Sequence, residues 1–278
     1  MFSPAVAQVD LVARVAEESG AVDGFLAVLD NLRLSAPVRP GDRLELHLVR
    51  PDAQGGARFH LRRAGGERVS DGAVAWMPAD PPPEAAAVPP AHPPAQPARP
   101  TPPPAASSAD AGTAPATPSP SETPPLADPL TFVPDPSAVL LHQPPALLAE
   151  AVLSVEGDEI LCRGRVPAGN ASVRDGHAGP WMALELAAQV AGLLEAVKRM
   201  RDADEAGAAP PAPRIGYLVR VRNARFAVPR VAAEAPLVAR VRQEGRGGPL
   251  TLWQATVEDA DGRPVAAAGL GTFVPPGG

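Results

Sequence analysis

From Pro180 to Val197 the chain is apolar on nearly every side. Met182, Leu184, Leu186, Val190, Leu193, Leu194 and Val197 are separated mostly by alanine, and a helix with that pattern has to be enclosed, because no face of it suits water. Pro180 fits its opening turn, where the missing N–H removes no intrahelical bond. Two residues break the pattern. Glu185 and Gln189 lie four apart, hence on one face, and a carboxyl and an amide inside an apolar cylinder are costly unless they are used. The alternative is a half-exposed helix with a solvated stripe, since Glu is usually exposed.

The flanks say what encloses the helix. Ala151 to Val155 and Glu159 to Val166 read as strands joined by the turn Glu156-Gly157-Asp158, and an irregular stretch, 167–179, leads into the helix. Four further strands follow, about 215–228, 235–243, 250–258 and 264–273, with apolar and polar residues alternating. The order strand, strand, helix, four strands predicts an α+β unit over 132–276, an antiparallel sheet wrapped round one central helix. Residues 1–78 give a helix opening at Ser3-Pro4 and closing at Ser19-Gly20, then four strands, the last two joined at Gly65-Gly66. Nothing strand-like precedes that helix, so beside 132–276 this unit is expected to lack its opening strands. Between the two, residues 79–131 are almost all Pro, Ala, Ser and Thr, a composition with too little apolar side chain to offset its ordering entropy. It predicts a disordered Pro/Ala-rich linker that keeps two folded units at high effective concentration.

Charge and cysteine content exclude several classes. A net charge of −6 gives no electrostatic footprint for nucleic acid. No apolar run approaches a membrane span, and the N-terminus has no basic stretch followed by an apolar one. The single cysteine, Cys162, rules out an intramolecular disulfide framework and a Cys-rich metal site and suits a reducing, cytoplasmic setting. Its strand context predicts that it is buried.

Pro180-Trp181-Met182-Ala183-Leu184-Glu185-Leu186-Ala187-Ala188-Gln189 resembles the central helix of the hot-dog 3-hydroxyacyl-ACP dehydratases, most of all those of aryl-polyene gene clusters. Leu140-Leu141-His142-Gln143-Pro144-Pro145 is similar to the Leu-Pro-His-Arg-x-Pro opening of the family, and 214–219 and 268–273 to two of its strands. In the first segment, Leu29-Asp30-Asn31-Leu32-Arg33 and 37–44 resemble the strand and turn that follow the family's helix. Pro4 to Asp10 resembles that helix's opening and sets Asp10 at the position of the catalytic acid. The family has strands and a loop with a catalytic His before the helix, whereas this sequence starts at Met1; a degenerate unit and a start further upstream are both open.

The resemblance implies tandem hot-dog domains, paired within the chain or in a homo- or hetero-oligomer, that dehydrate a 3-hydroxyacyl thioester on an acyl carrier protein without metal or cofactor. Such a reaction needs a base for the C2 proton, an acid for the departing hydroxyl, and amide donors at a helix N-terminus for the thioester oxygen. Glu185 takes the acid's part, with burial to keep it protonated, and Gln189 would orient it. Asp10 is the equivalent acid of the first unit, and Pro180 and Trp181 would meet substrate at the helix head. The family's basic His has no counterpart near 170–171; His177 is the nearest candidate, while His142 reads as structural. An acyl-thioester hydrolase, and a silent subunit that binds acyl chains or a true dehydratase, are the competing functions.

Overall fold

The computed structural model describes residues 4–20, 22, 24–39, 41–49, 56–78, 134–209 and 211–275. The expected linker, 79–131, lies outside them. The first segment forms α1 (Pro4–Glu18) and strands β1 (Phe25–Leu34), β2 (Leu44–Leu48), β3 (Gly56–Arg63) and β4 (Arg68–Met77). The second forms a short α2 (Pro136–Val139), β5 (Ala149–Glu156), β6 (Glu159–Gly164), the two-residue β7 (His177–Ala178), and α3 (Met182–Glu205). Then come β8 (Tyr217–Phe226), β9 (Val231–Ala232), β10 (Leu237–Gly247), β11 (Leu250–Asp259) and β12 (Pro264–Phe273).

Ten of these strands make one sheet in the order β2-β3-β4-β1-β8-β12-β11-β10-β6-β5. The seam is β1 against β8, antiparallel, with Val28 opposite Arg225, Leu29 opposite Ala224, Leu32 opposite Val221 and Arg33 opposite Arg220. Both strands carry an Asn in the left-handed region near the centre, Asn31 at φ 50° and Asn223 at φ 51°, a conformation Asn tolerates better than most side chains. The Asp30 carboxylate accepts the Asn223 N–H at 3.1 Å and ties the two irregularities together. The two segments therefore share a single continuous sheet and one apolar core, in which Val6, Val9 and Val12 of α1 join Leu186, Val190 and Leu193 of α3.

The sheet encloses α3 as its composition requires. From Met182 to Gln189 every residue except Ala188 is buried, which removes the half-exposed alternative. The approach is close: a Cβ at Gly164, the end of β6, would stand 2.4 Å from the Leu148 carbonyl and 2.6 Å from Leu186. Helix α3 runs on through Gly192 to Glu205, past where the apolar pattern fades, with Lys198 bonded to Asp158 and to Gln243. Cys162 is fully buried in β6, and burial pushes its thiol up to about 12. Among the described residues no helix is long and apolar enough to cross a membrane.

The seam makes the first segment dependent on the second. Residues 1–78 alone would expose the β8-facing edge of β1 and the apolar side of α1, an arrangement prone to aggregate. Expressed alone, that segment is expected to be insoluble or to show no cooperative melting transition by circular dichroism; a dispersed, cooperatively folded monomer would contradict the shared core.

Candidate active site at the head of the enclosed helix

Glu185, in the first turn of α3, and Gln189, one turn on, are 4% and 2% exposed. The Gln189 amide spends its bonding capacity on two places at once. Its Nε2 donates to Glu185 Oε1 at 3.1 Å and to the Ala146 carbonyl at 2.9 Å, and its Oε1 accepts from Leu148 N at 2.8 Å and Ala149 N at 3.3 Å. The segment so held is the one between α2 and β5, further shaped by Ala146 N and Leu147 N donating to the Gln143 carbonyl.

That segment delivers His142. Its Nε2 lies 3.5 Å from Glu185 Oε1, the side chain is 31% exposed, and Nδ1 is buried without a hydrogen-bond partner. Burial lowers the His142 pKa below the ordinary value of 6.5, so the ring is held neutral and able to accept a proton. The family-like opening around His142 had pointed to packing alone; the geometry puts an imidazole against the helix carboxyl instead.

The other expected residues fall elsewhere. His177 is exposed in β7, opposite Ala232 of β9, with Nδ1 2.9 Å from the Asp175 carbonyl; it is neither a hydrogen-bond nor an ion-pair partner of Glu185. Asp10, on α1, has its pKa raised by burial, which outweighs Arg14 at 3.8 Å and the more distant Arg174. The Trp181 indole N–H leans toward Asp10 and favours its ionised form, but stays outside hydrogen-bond geometry. Trp181 is buried at the N-cap of α3, and Gly179 makes room for it, since a Cβ there would stand 2.0 Å from the ring. Pro180 is buried beside it. The amides of Met182, Ala183 and Leu184 are taken by the carbonyls of Gly179, Pro180 and Trp181 at 2.9–3.0 Å; they are not free to hold an oxyanion. Among the described residues no group of three His, Cys, Asp or Glu side chains could hold a metal ion.

The structure thus brings together a buried carboxyl, Glu185, and a half-buried neutral imidazole, His142, with Gln189 bonded to the carboxyl and to the segment that follows His142. Such a pair can take a proton at one atom and deliver one at its neighbour.

Comparison with known proteins gives this geometry a context. A family model described as ApeP-like, ApeP dehydratase, matches residues 134–277, and one described as ApeI-like, ApeI dehydratase, matches residues 2–73. No curated protein matches the sequence. Among solved structures, the dehydratase domain of RzxB from Pseudomonas fluorescens superposes with a TM-score of 0.58 at 14% identity, over 97% of this chain and 84% of that one. A dehydratase of type I polyketide synthases does so with a TM-score of 0.59 at 14% identity, over 98% and 84%. These likenesses establish the hot-dog dehydratase fold. The dehydratase heterocomplex ApeI:P from Xenorhabdus doucetiae also matches, at 22% identity over 51% of this chain and 92% of that one, but with a TM-score of 0.44 it carries no argument.

Proposed function

Since the chain belongs to the ApeP-like dehydratase family, we propose that it removes water from a 3-hydroxyacyl thioester, carried by an acyl carrier protein, during synthesis of a fatty-acid-like or polyene chain. The observation that carries this reading is the contact of half-buried His142 with buried Glu185 at 3.5 Å. In the reaction, neutral His142 takes the proton from C2 of the substrate. Protonated Glu185 gives its proton to the hydroxyl leaving C3, which departs as water, and the C2–C3 double bond forms. The imidazolium then returns its proton to the Glu185 carboxylate across their contact, and both groups regain their starting state. Gln189 fixes the carboxyl and the His142 segment together, while Pro180 and Trp181 flank the substrate at the head of α3. This assigns to His142 the base's role expected of His177. Asp10 is the acid that the first segment presents toward Trp181.

The match of the two segments to two dehydratase models, together with the β1–β8 seam, supports reading the chain as a hot-dog pair within one polypeptide. Carrier-bound acyl chemistry supports reading the protein as cytoplasmic.

The test is incubation of the full chain with a 3-hydroxyacyl carrier protein, following enoyl thioester formation. Release of free carrier thiol without an enoyl product would mark a thioester hydrolase, and no reaction at all a silent subunit. The pH profile adds a check. Burial disfavours the imidazolium, so His142 stays a competent base as pH falls past 6.5, and kcat/KM is expected to lose its acid limb only below that value. His142→Ala should abolish most turnover, and His177→Ala should leave it near wild type. A profile already half lost above pH 6.5 would remove His142 as the base.

A further inference from the structure

The outer face of the sheet carries an arginine row that crosses the seam. Arg33 of β1 stands directly opposite Arg220 of β8. On the other side of β8, Arg220 faces Gly271, Arg222 faces Gly269 and Arg225 faces Ala267, all in β12. Their neighbours Leu32 and Val221 are buried in the core, so the arginines point outward; Arg33 and Arg225 are exposed, Arg220 and Arg222 half-buried. Among the described residues none of the four forms an ion pair or a side-chain hydrogen bond, and the Arg220 Nε is buried without a partner. On the other side of β1, Arg33 faces Asp71 of β4, whose carboxylate lies 4.0 Å from Arg68, and Asp30 bonds the backbone of Asn223 and the amide of Asn31.

Like charges directly opposite one another on a sheet destabilise it. Here they are concentrated on one face of a chain whose net charge is −6. The positions of β12 that face them are Ala267, Gly269 and Gly271, and a Cβ at Gly271 would stand 3.2 Å from Arg220 Cβ and 3.7 Å from Leu252. Ala267, Gly269 and Gly271 therefore floor a shallow trough, with the arginines along one side and Leu252, Gln254 and Thr256 of β11 along the other.

We propose that this trough docks an acidic helix of a protein partner. Strands lie about 4.8 Å apart, so arginines on and across β8 repeat at intervals close to the roughly 5–6 Å between side chains three or four apart on a helix. Guanidinium groups bind carboxylates through paired N–H donors, and the low floor lets a helix backbone approach.

The test uses the full chain and an apo-acyl carrier protein of acidic net charge, a choice of probe that rests on the dehydratase reading. Binding of labelled carrier is followed by fluorescence anisotropy, and turnover is measured separately on a small 3-hydroxyacyl thioester that needs no docking. Arg33→Glu and Arg222→Glu are each expected to weaken carrier binding by about tenfold, and wild-type affinity to fall with added salt. Turnover of the small thioester should not change in either variant. Carrier binding that is absent, or indifferent to both reversals, overturns the proposal while small-thioester turnover leaves the dehydratase reading standing. A labelled DNA duplex that binds as tightly and is lost in the same variants would make the row a general polyanion site. A shift in sedimentation without a change in carrier affinity would assign it to a second copy of the chain; either result also overturns the proposal.

Discussion

Replacing Glu185 by Gln is expected to lower dehydration of a 3-hydroxyacyl carrier protein by roughly a hundred- to ten-thousandfold, the range for loss of a general acid or base, with little change in melting temperature. The substitution preserves volume, and the new carbonyl oxygen can still accept the Gln189 Nε2 bond that Glu185 Oε1 now takes at 3.1 Å. What it removes is a proton that can be given away. At 4% exposure bulk water is poorly placed to supply the missing acid, so rescue by solvent should be small. In the proposed reaction His142 and Glu185 hand one proton between them, so their losses should not add: His142→Ala with Glu185→Gln is expected to be little worse than the poorer single variant. Initial rates for the four proteins, with a melting curve for each, decide it. Wild-type turnover that survives Glu185→Gln would take this carboxyl out of the mechanism. A stability loss matching the rate loss would make Glu185 a packing residue.

The helix and its two polar residues were legible from sequence because both signals are local. An all-round apolar run demands enclosure, and a spacing of four fixes Glu185 and Gln189 on one face whatever surrounds them. The strands were legible for the same reason, their alternation being a property of each segment alone. The β1–β8 seam was not. It pairs residues such as Val28 and Arg225 across most of the chain, and neither strand's pattern names its neighbour. The two asparagines of positive φ were visible only as ordinary strand polar residues. His142 was read as structural, and its contact with Glu185 was not legible, because what brings it there is mostly backbone: Leu148 N, Ala149 N and the Ala146 carbonyl bonding one side-chain amide. Main-chain groups are the same in every sequence and leave no mark in it. His177 drew notice for the opposite reason. It is close to the helix in sequence, but β7 pairs with β9 and turns its ring to solvent. The polar residue that could have pointed to the arrangement was Gln189, whose amide has more bonding capacity than one carboxyl can use.

That capacity makes Gln189→Leu the substitution with the largest expected cost in stability. Leucine fills the space and suits an apolar helix, so transfer and helix propensity favour it slightly. Against this, it strands the N–H groups of Leu148 and Ala149, residues themselves 1% and 2% exposed, and the Ala146 carbonyl. Each buried polar group left without a partner costs about 1–3 kcal/mol. With partial relaxation the sum is about 3–6 kcal/mol, a large share of the 5–15 kcal/mol that typically separates folded from unfolded chains. Denaturant titration would read the loss, and hydrogen exchange would place it, with the Leu148 and Ala149 amides losing protection far more than those of the distant β11. Gln189→Glu divides the two functions of the amide. It keeps an acceptor for Leu148 and Ala149 but loses the donor to Ala146 and sets a second carboxyl beside Glu185, so it should cost less stability than leucine at neutral pH only if one carboxyl of the pair is protonated. If Gln189→Leu unfolds within 1 kcal/mol of wild type, measured against that rough scale, the segment bearing His142 is held by something other than this amide. The imidazole would then owe its place beside Glu185 to the packing of α2 and β5 alone.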